Sequence, residues 1–297
     1  MATTTSKIRN ILCPTDLSPR SQAAVTVAAG IASHLSAKLT ACHCVGSNWF
    51  TTDHAMPQQN REKIESEMKQ AIVGRWNGSS PDWNVRVIEN SDDPARDIVK
   101  LASDLGVELI VLKARKGVRS ALHYGSMVER ITRGASVPVL LLPSKYLEAV
   151  EQQKIDFHQV LFDYDFSETT DQLFPFAMEM TKGFNANLHL LAVLEPPKAG
   201  PTEAGDTRSS RDMLRNATRQ KLNHVIENDA AKLISSEAVV EWGRHADTVL
   251  RYAEQNNIDL ICTTLSPAYF YYEKLYCAYL GQLLQSAKCP ILALRSV

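Results

Sequence analysis

Short, nearly unbroken apolar runs alternate along the chain with longer stretches in which apolar residues recur every three or four positions. The runs "ILCP", "LTACHCV", "ELIVL" and "VPVLLL" read as strands buried on both faces, and the stretches between them read as helices. Alternation of that kind predicts a parallel sheet with helices on both sides.

The pattern is written twice. "ILCPTDLSPRSQAAV" from Ile11 has its counterpart in "VLFDYDFSETTDQLF" from Val160, so Asp16 matches Asp165 and Ser18 matches Ser167. "AKLTACHCV" answers "ANLHLLAVL", and "DPARDIVKLASDLGVELIVL" answers "RHADTVLRYAEQNNIDLICT". Both repeats close on a proline inside an apolar run, "SVPVLLLP" and "KCPILALR". Each repeat reads as strand, helix, strand, longer helix, strand, helix, strand, helix, strand. Ser18 and Ser167 are placed to cap the first helix of each, with Pro19 taking the first helical position, where a missing N–H costs nothing. The expected domains are residues 1–146 and 155–297, joined through the polar connector "SKYLEAVEQQKIDFHQ". The segments expected to be least ordered are "GSNWFTTDHAMPQQN" and "EPPKAGPTEAGDTRSS", the second rich in Pro, Gly, Ser and Thr.

Composition narrows the function classes. Hydrophobic residues make up 44% and charged residues 22%, as in an ordinary globular chain of two domains. With 32 Lys+Arg against 33 Asp+Glu, no overall charge calls for a nucleic-acid partner. "MATTTSKIRN" lacks the apolar core of a signal peptide and no apolar run is long enough to cross a bilayer, so a cytoplasmic protein without a membrane partner is expected. Its six cysteines (Cys13, Cys42, Cys44, Cys262, Cys277 and Cys289) are then expected to be mostly reduced.

Candidate chemistry collects where strands end. After "ELIVL" the chain reads "KARKGVRSALHYGS", with Lys113, Arg115, Lys116 and Arg119 ahead of Gly125-Ser126, which opens a helix. A strand that empties into a loop and then a helix is where α/β domains hold phosphate. Two readings stand: side-chain charge gathers an anion, or the run is a solvated loop. Pro14, Thr15 and Asp16 lie at the carboxyl end of the first strand, the crevice where open parallel sheets bind ligands. The second repeat places Asp163-Tyr164-Asp165 there, a carboxylate pair that disfavours phosphate and is too little to claim acid–base or cation chemistry. In "CHC", Cys42 and Cys44 share one strand face and His43 the other, so core packing outweighs a metal site; a redox pair with Cys13 is the rival reading. Tyr269, Tyr272, Tyr276 and Tyr279 recur at helical spacing, either as a core-facing stripe or as a hydrophobic ligand or partner surface. No Ser/His/Asp set, metal motif or complete P-loop occurs, so no catalytic or metal-binding residue is assigned.

Taken together, "ILCPTDLS", "ELIVLK", "DLICTT" and "GSMVERITRGASVPVLLL" resemble the universal stress protein family in its tandem two-domain form. The resemblance implies five-stranded Rossmann-like domains of the adenine nucleotide alpha hydrolase-like kind, pairing through their last strands, here within one molecule. Some family members bind ATP through Gly, two residues, Gly, nine residues and Gly-Ser or Gly-Thr, and others lack the pattern. Two such glycines would let backbone amides approach phosphate oxygens. In the first repeat the two glycine positions fall on Leu112 and Arg115, or on Lys113 and Lys116, so only Gly125-Ser126 conforms. In the second they fall on Thr264 and Pro267, with Cys277-Ala278 last, so no ATP is expected there. In ATP-binding members the residue matching Asp16 contacts the adenosine part. The resemblance thus implies a non-catalytic stress-response module. Its candidate nucleotide or phosphate site is Pro14, Thr15, Asp16, Cys44, Lys113, Arg115, Lys116, Gly125 and Ser126, for ATP or another adenine nucleotide. The alternative is a nucleotide-independent interaction scaffold with a protein partner or a homodimer. Slow ATP hydrolysis follows from fold analogy alone.

Overall fold

The computed structural model describes residues 7–46, 58–73, 82–114, 126–150, 155–195, 207–228, 235–265 and 273–295. The first half runs β1 (Asn10–Pro14), α1 (Pro19–Leu35), β2 (Lys38–Gly46), α2 (Gln58–Val73), β3 (Trp83–Ser91), α3 (Pro94–Asp104), β4 (Leu109–Lys113), α4 (Met127–Gly134) and β5 (Val139–Leu142). A short helix, α5 (Ser144–Val150), leads into the second half. That half runs β6 (Gln159–Asp163), α6 (Glu168–Gly183), β7 (Asn187–Leu194), α7 (Thr207–Asn228), β8 (Ser236–Trp242), α8 (His245–Gln255), β9 (Leu260–Leu265), α9 (Glu273–Ser286) and β10 (Ile291–Arg295).

The strands form one ten-stranded sheet in the order β3-β2-β1-β4-β5-β10-β9-β6-β7-β8. Each half is parallel within itself, and the halves meet antiparallel, with Ile291, Leu292 and Ala293 opposite Leu141, Leu140 and Val139. One layer of core lies under α1, α2, α5, α6 and α7, and the other under α3, α4, α8 and α9. Among the described residues no helix is long and apolar enough to cross a membrane.

Local chemistry explains the repeat. Ser18 and Ser167 cap α1 and α6, accepting from the amides of Ser21 and Thr170, and Pro19 stands at the start of α1. Ahead of each cap, Leu17 (φ 62°) and Phe166 (φ 61°) adopt the left-handed turn that redirects strand into helix. A second device recurs one strand away. Glu108 Oε2 accepts the backbone amides of Arg9 and Asn10 at 3.2 and 2.8 Å, and Asp259 Oδ2 accepts those of His158 and Gln159 at 2.8 and 3.0 Å. The acidic residue opening "ELIVL" and "DLICT" therefore ties down the start of the neighbouring strand.

Two sequence expectations change. The connector is not simply polar: its first part is helical, and Leu147, Val150, Ile155 and Phe157 are buried. Apolar residues spaced around one helical turn were masked there by intervening charges. The residues "TRSS" at 207–210 belong to a helix rather than to a disordered segment.

The halves are clamped by helix contacts as well as by the sheet. Gly30 of α1 lies against Ile155, where an added Cβ would stand 2.7 Å from Ile155 Cγ1. Gly183 of α6 is similarly close to Leu35. Gly30→Ala should therefore reverse the usual helical gain of about 0.5–1 kcal/mol, because overpacking costs roughly 1–3 kcal/mol. Urea unfolding should show a less stable protein, with Ile155→Ala costing less in the Gly30→Ala background than in the wild type. A more stable Gly30→Ala protein would contradict the close approach.

Candidate functional site

At the carboxyl ends of β1, β2 and β4 lies a cavity of about 260 Å3. Its floor is apolar, with Cys42, Ile98, Leu112, Val128 and Ile131, and its rim is polar, with Thr15, Asp16, His43, Lys113 and Ser126. Of the residues expected from sequence, Pro14, Thr15, Asp16, Cys44, Lys113 and Ser126 line this one space. Arg115, Lys116 and Gly125 lie outside the described residues.

Asp16 is the hub of the rim. Its Oδ1 accepts from the Ser18 amide at 3.1 Å, Ser18 Oγ at 2.6 Å and Ser21 Oγ at 2.5 Å. Lys113 Nζ donates to both carboxylate oxygens, at 2.6 and 2.5 Å, and to Ser18 Oγ at 2.7 Å. Burial pushes the Asp16 carboxyl upward, but the bonds from Lys113, Ser18 and Ser21 prevail and hold it well below the usual carboxylate range. The basic residue that the sequence offered to phosphate is thus shared with a carboxylate. Ser126 caps α4, accepting from the Glu129 amide at 3.2 Å, and buried Glu129 is paired with Arg133 at 2.8 Å. Thr15 is held by its amide on Cys42 O at 2.8 Å, and His43 Nδ1 donates to Thr15 O at 2.8 Å.

The "CHC" run is a cavity wall. Cys42 packs into the core layer opposite the one holding Cys13, so the sheet separates those two thiols and the redox pair is not formed. Burial pushes Cys13 up to about 12, and burial with the nearby Asp97 carboxylate pushes Cys44 up to about 11. Both are thiols at neutral pH and poor nucleophiles or ligands. No group of three or more His, Cys, Asp or Glu suited to a metal ion occurs among the described residues.

Strand register brings out the counterpart in the second half. Ile11 pairs with Leu109 as Val160 pairs with Leu260, so Pro14 corresponds to Asp163, and Leu112 to Thr263. Pro94 and His245 each begin the third helix of their half. Met127 and Tyr279 stand equally far ahead of the last strand. Four cavity-lining residues, Pro14, Pro94, Leu112 and Met127, are therefore replaced by Asp163, His245, Thr263 and Tyr279, which bind one another. Buried Asp163 accepts from His245 Nε2 at 2.8 Å, Thr263 Oγ1 at 2.9 Å and Tyr279 OH at 2.6 Å. Asp165 repeats the role of Asp16, taking the Ser167 amide at 3.0 Å and Thr170 Oγ1, with Thr264 Oγ1 at 3.2 Å where Lys113 stands in the first half.

The Asp163-Tyr164-Asp165 segment is thus not a pair of free carboxylates. Sequence reasoning missed His245, although aligning "DPARD" with "RHADT" puts it on Pro94; a proline-to-histidine change at a cavity wall was the available signal. Of the tyrosines, Tyr279 turns its hydroxyl inward to Asp163. Tyr269 and Tyr272 lie outside the described residues, as does the Tyr276 side chain. A larger cavity of about 670 Å3 lies at the amino ends of β9 and β10, between α5 and α8. Two of its charged groups are already engaged, Lys288 with Glu254 at 2.8 Å and Asp259 with the backbone of β6.

The pairing of buried Asp163 with partly buried His245 makes stability depend on pH. Burial opposes both charges, yet the Asp163 carboxylate raises the His245 pKa, and the His245 charge with the Tyr279 and Thr263 bonds lowers that of Asp163. Its stabilisation is complete between the ordinary carboxylate and imidazole values, about 3.9 and 6.5. It declines as pH rises through the raised His245 pKa and as pH falls through the lowered Asp163 pKa. His245→Ala, which leaves a buried carboxylate without its cation, should cost about 3–5 kcal/mol. The difference in unfolding free energy from wild type should be largest in that window and shrink on either side; a flat difference would contradict the ion pair.

The sequence profile of the universal stress protein family matches the chain twice, over residues 7–143 and 156–295. A search of curated protein sequences finds no match. Among solved structures, the chain is similar to a universal stress protein from Archaeoglobus fulgidus DSM 4304, at 18% identity over 97% of each chain with a TM-score of 0.66. It is also similar to a protein from Pseudomonas aeruginosa UCBPP-PA14 assigned to the same family, at 13% identity over 98% of this chain and 94% of that one, with a TM-score of 0.65. These structural likenesses concern the fold; the double profile match carries the family. The chain belongs to the universal stress protein family and carries two of its domains in tandem.

Proposed function

We propose that this protein is a non-catalytic stress-response module that binds an adenine nucleotide, or its nucleoside part, in the first half only. The observation that carries the reading is the 260 Å3 cavity, in which an apolar floor sits beside the Asp16–Lys113 rim. That volume is near the lower end of small-ligand sites, roughly 300–1,000 Å3, and suits a flat heterocycle with its polar remainder outside. Apolar walls at Ile98, Leu112 and Val128 would cover a base, and Asp16 is positioned to accept from ribose hydroxyls. Phosphates would then lie toward Lys113 and the start of α4, where amides and an ammonium favour negative charge.

The same geometry argues against hydrolysis. A carboxylate held far below its ordinary pKa by Lys113, Ser18 and Ser21 is a weak general base. The second half fills the equivalent space with its own polar network, which supports binding in one half alone. The scaffold reading gains nothing from Tyr279, whose hydroxyl is given to Asp163.

Thermal unfolding with ATP, AMP, adenosine and inorganic phosphate tests the proposal. A ligand at a hundred times its Kd should stabilise the folded state by about 2.7 kcal/mol. Asp16→Ala and Lys113→Ala should each weaken the adenine compounds about tenfold or more, through loss of a charge-assisted bond worth roughly 1.5–3 kcal/mol. Absence of a shift with every adenine compound would overturn the reading, and a shift with phosphate alone would replace it by a simple anion site.

A further inference from the structure

As the crossover between parallel strands β7 and β8, α7 runs back from the carboxyl ends of the strands toward their amino ends. Its lower part is anchored, with Thr218 and Leu222 buried. Arg208 to Ala217, in contrast, are all exposed, so the first half of the helix overhangs the sheet. Arg208, Arg211, Arg215 and Arg219 follow one another at spacings of three and four and form one stripe. Arg211 also stands over the Trp242 ring at 5.7 Å, and Lys221 stands over the half-exposed Phe166 ring at 5.8 Å.

Among the described residues nothing neutralises the stripe. Helix α7 has five basic residues against two acidic ones, Asp212 and Glu227. No ion pair engages its arginines among the described residues. Its counterpart α2 has three basic and three acidic residues, with Arg61 paired to Glu65 and Glu89. A helical segment that is exposed all round and lacks internal ion pairs is marginal by itself. Leu214, 49% exposed, adds apolar surface beside the stripe, next to Arg211 on the helix surface, whereas Met213, 63% exposed, lies on the opposite face.

We propose that the overhanging half of α7 is a docking surface for an acidic, partly apolar segment of a protein partner. The arginine stripe takes carboxylates as bidentate hydrogen-bonded pairs, and Leu214 takes an apolar side chain. A second copy of this chain would bring an equally basic helix to the contact, which charge disfavours. A nucleic acid or a small anion would satisfy the arginines and leave Leu214 in water. This surface is independent of the nucleotide site.

The test is fluorescence anisotropy of a labelled peptide carrying Glu and Leu at helical spacing, titrated with the full chain. Saturable binding should weaken at least about tenfold between low and moderate salt, as for a steered charged contact. Arg211→Glu with Arg215→Glu, both exposed, should abolish binding in a protein that still unfolds cooperatively. The same variant should gain affinity for the peptide with Lys in place of Glu. Leu214→Ser should weaken binding about threefold, and Met213→Ser, on the opposite face, should leave it unchanged. Absence of peptide binding, or undiminished binding to the Arg211→Glu/Arg215→Glu protein, would overturn the proposal. So would single-stranded RNA that outcompetes the peptide and binds the Leu214→Ser protein as well as the wild type.

Discussion

The antiparallel pairing of β5 with β10 sets everything else. Only three residue pairs make the junction, Ile291, Leu292 and Ala293 against Leu141, Leu140 and Val139, but they merge two parallel half-sheets into one. Because each half is parallel within itself, the antiparallel seam points the two sets of carboxyl ends to opposite edges. The candidate ligand cavity and the buried Asp163–His245 network therefore lie at opposite edges of the molecule. The same geometry explains why a short connector suffices: the chain leaves β5 at the edge where β6 begins. α5 and the buried residues Ile155 and Phe157 make that connector part of the core.

Within this frame the two halves have kept one turn and divided its use. Strand, aspartate, left-handed residue, capping serine and helix are the same around Asp16 and Asp165. What differs is the group opposite the aspartate, Lys113 in one half and Thr264 in the other, and the wall around it. In the first half the wall is proline, leucine and methionine, leaving space. In the second half the corresponding residues form a saturated hydrogen-bond network on Asp163. Such a network is strong only when complete, because any unpaired member in a dry interior is costly. Four replacements acting together are thus more coherent than any one of them would be.

The asymmetry extends to the helices that follow the second strand of each half. α2 is charge-balanced and internally paired, whereas α7 is basic and reaches past the sheet. One half thus presents an open cavity, and the other a filled interior with a charged exterior. A duplicated fold lets the two halves diverge without disturbing the shared sheet.

The chain alone determined the repeat, the strand and helix order, the capping serines and the position of Asp16, because apolar periodicity and turn chemistry are local properties. It also placed Lys113 and Ser126 near the same strand ends, since parallel α/β topology brings those ends together. Tertiary structure decided the rest. That Asp16 holds Lys113 depends on a contact between residues 97 positions apart. That Asp163 belongs to His245, Thr263 and Tyr279 depends on register across three elements. Charges spaced along a chain carry no record of their partners; only the folded sheet brings them within hydrogen-bonding distance.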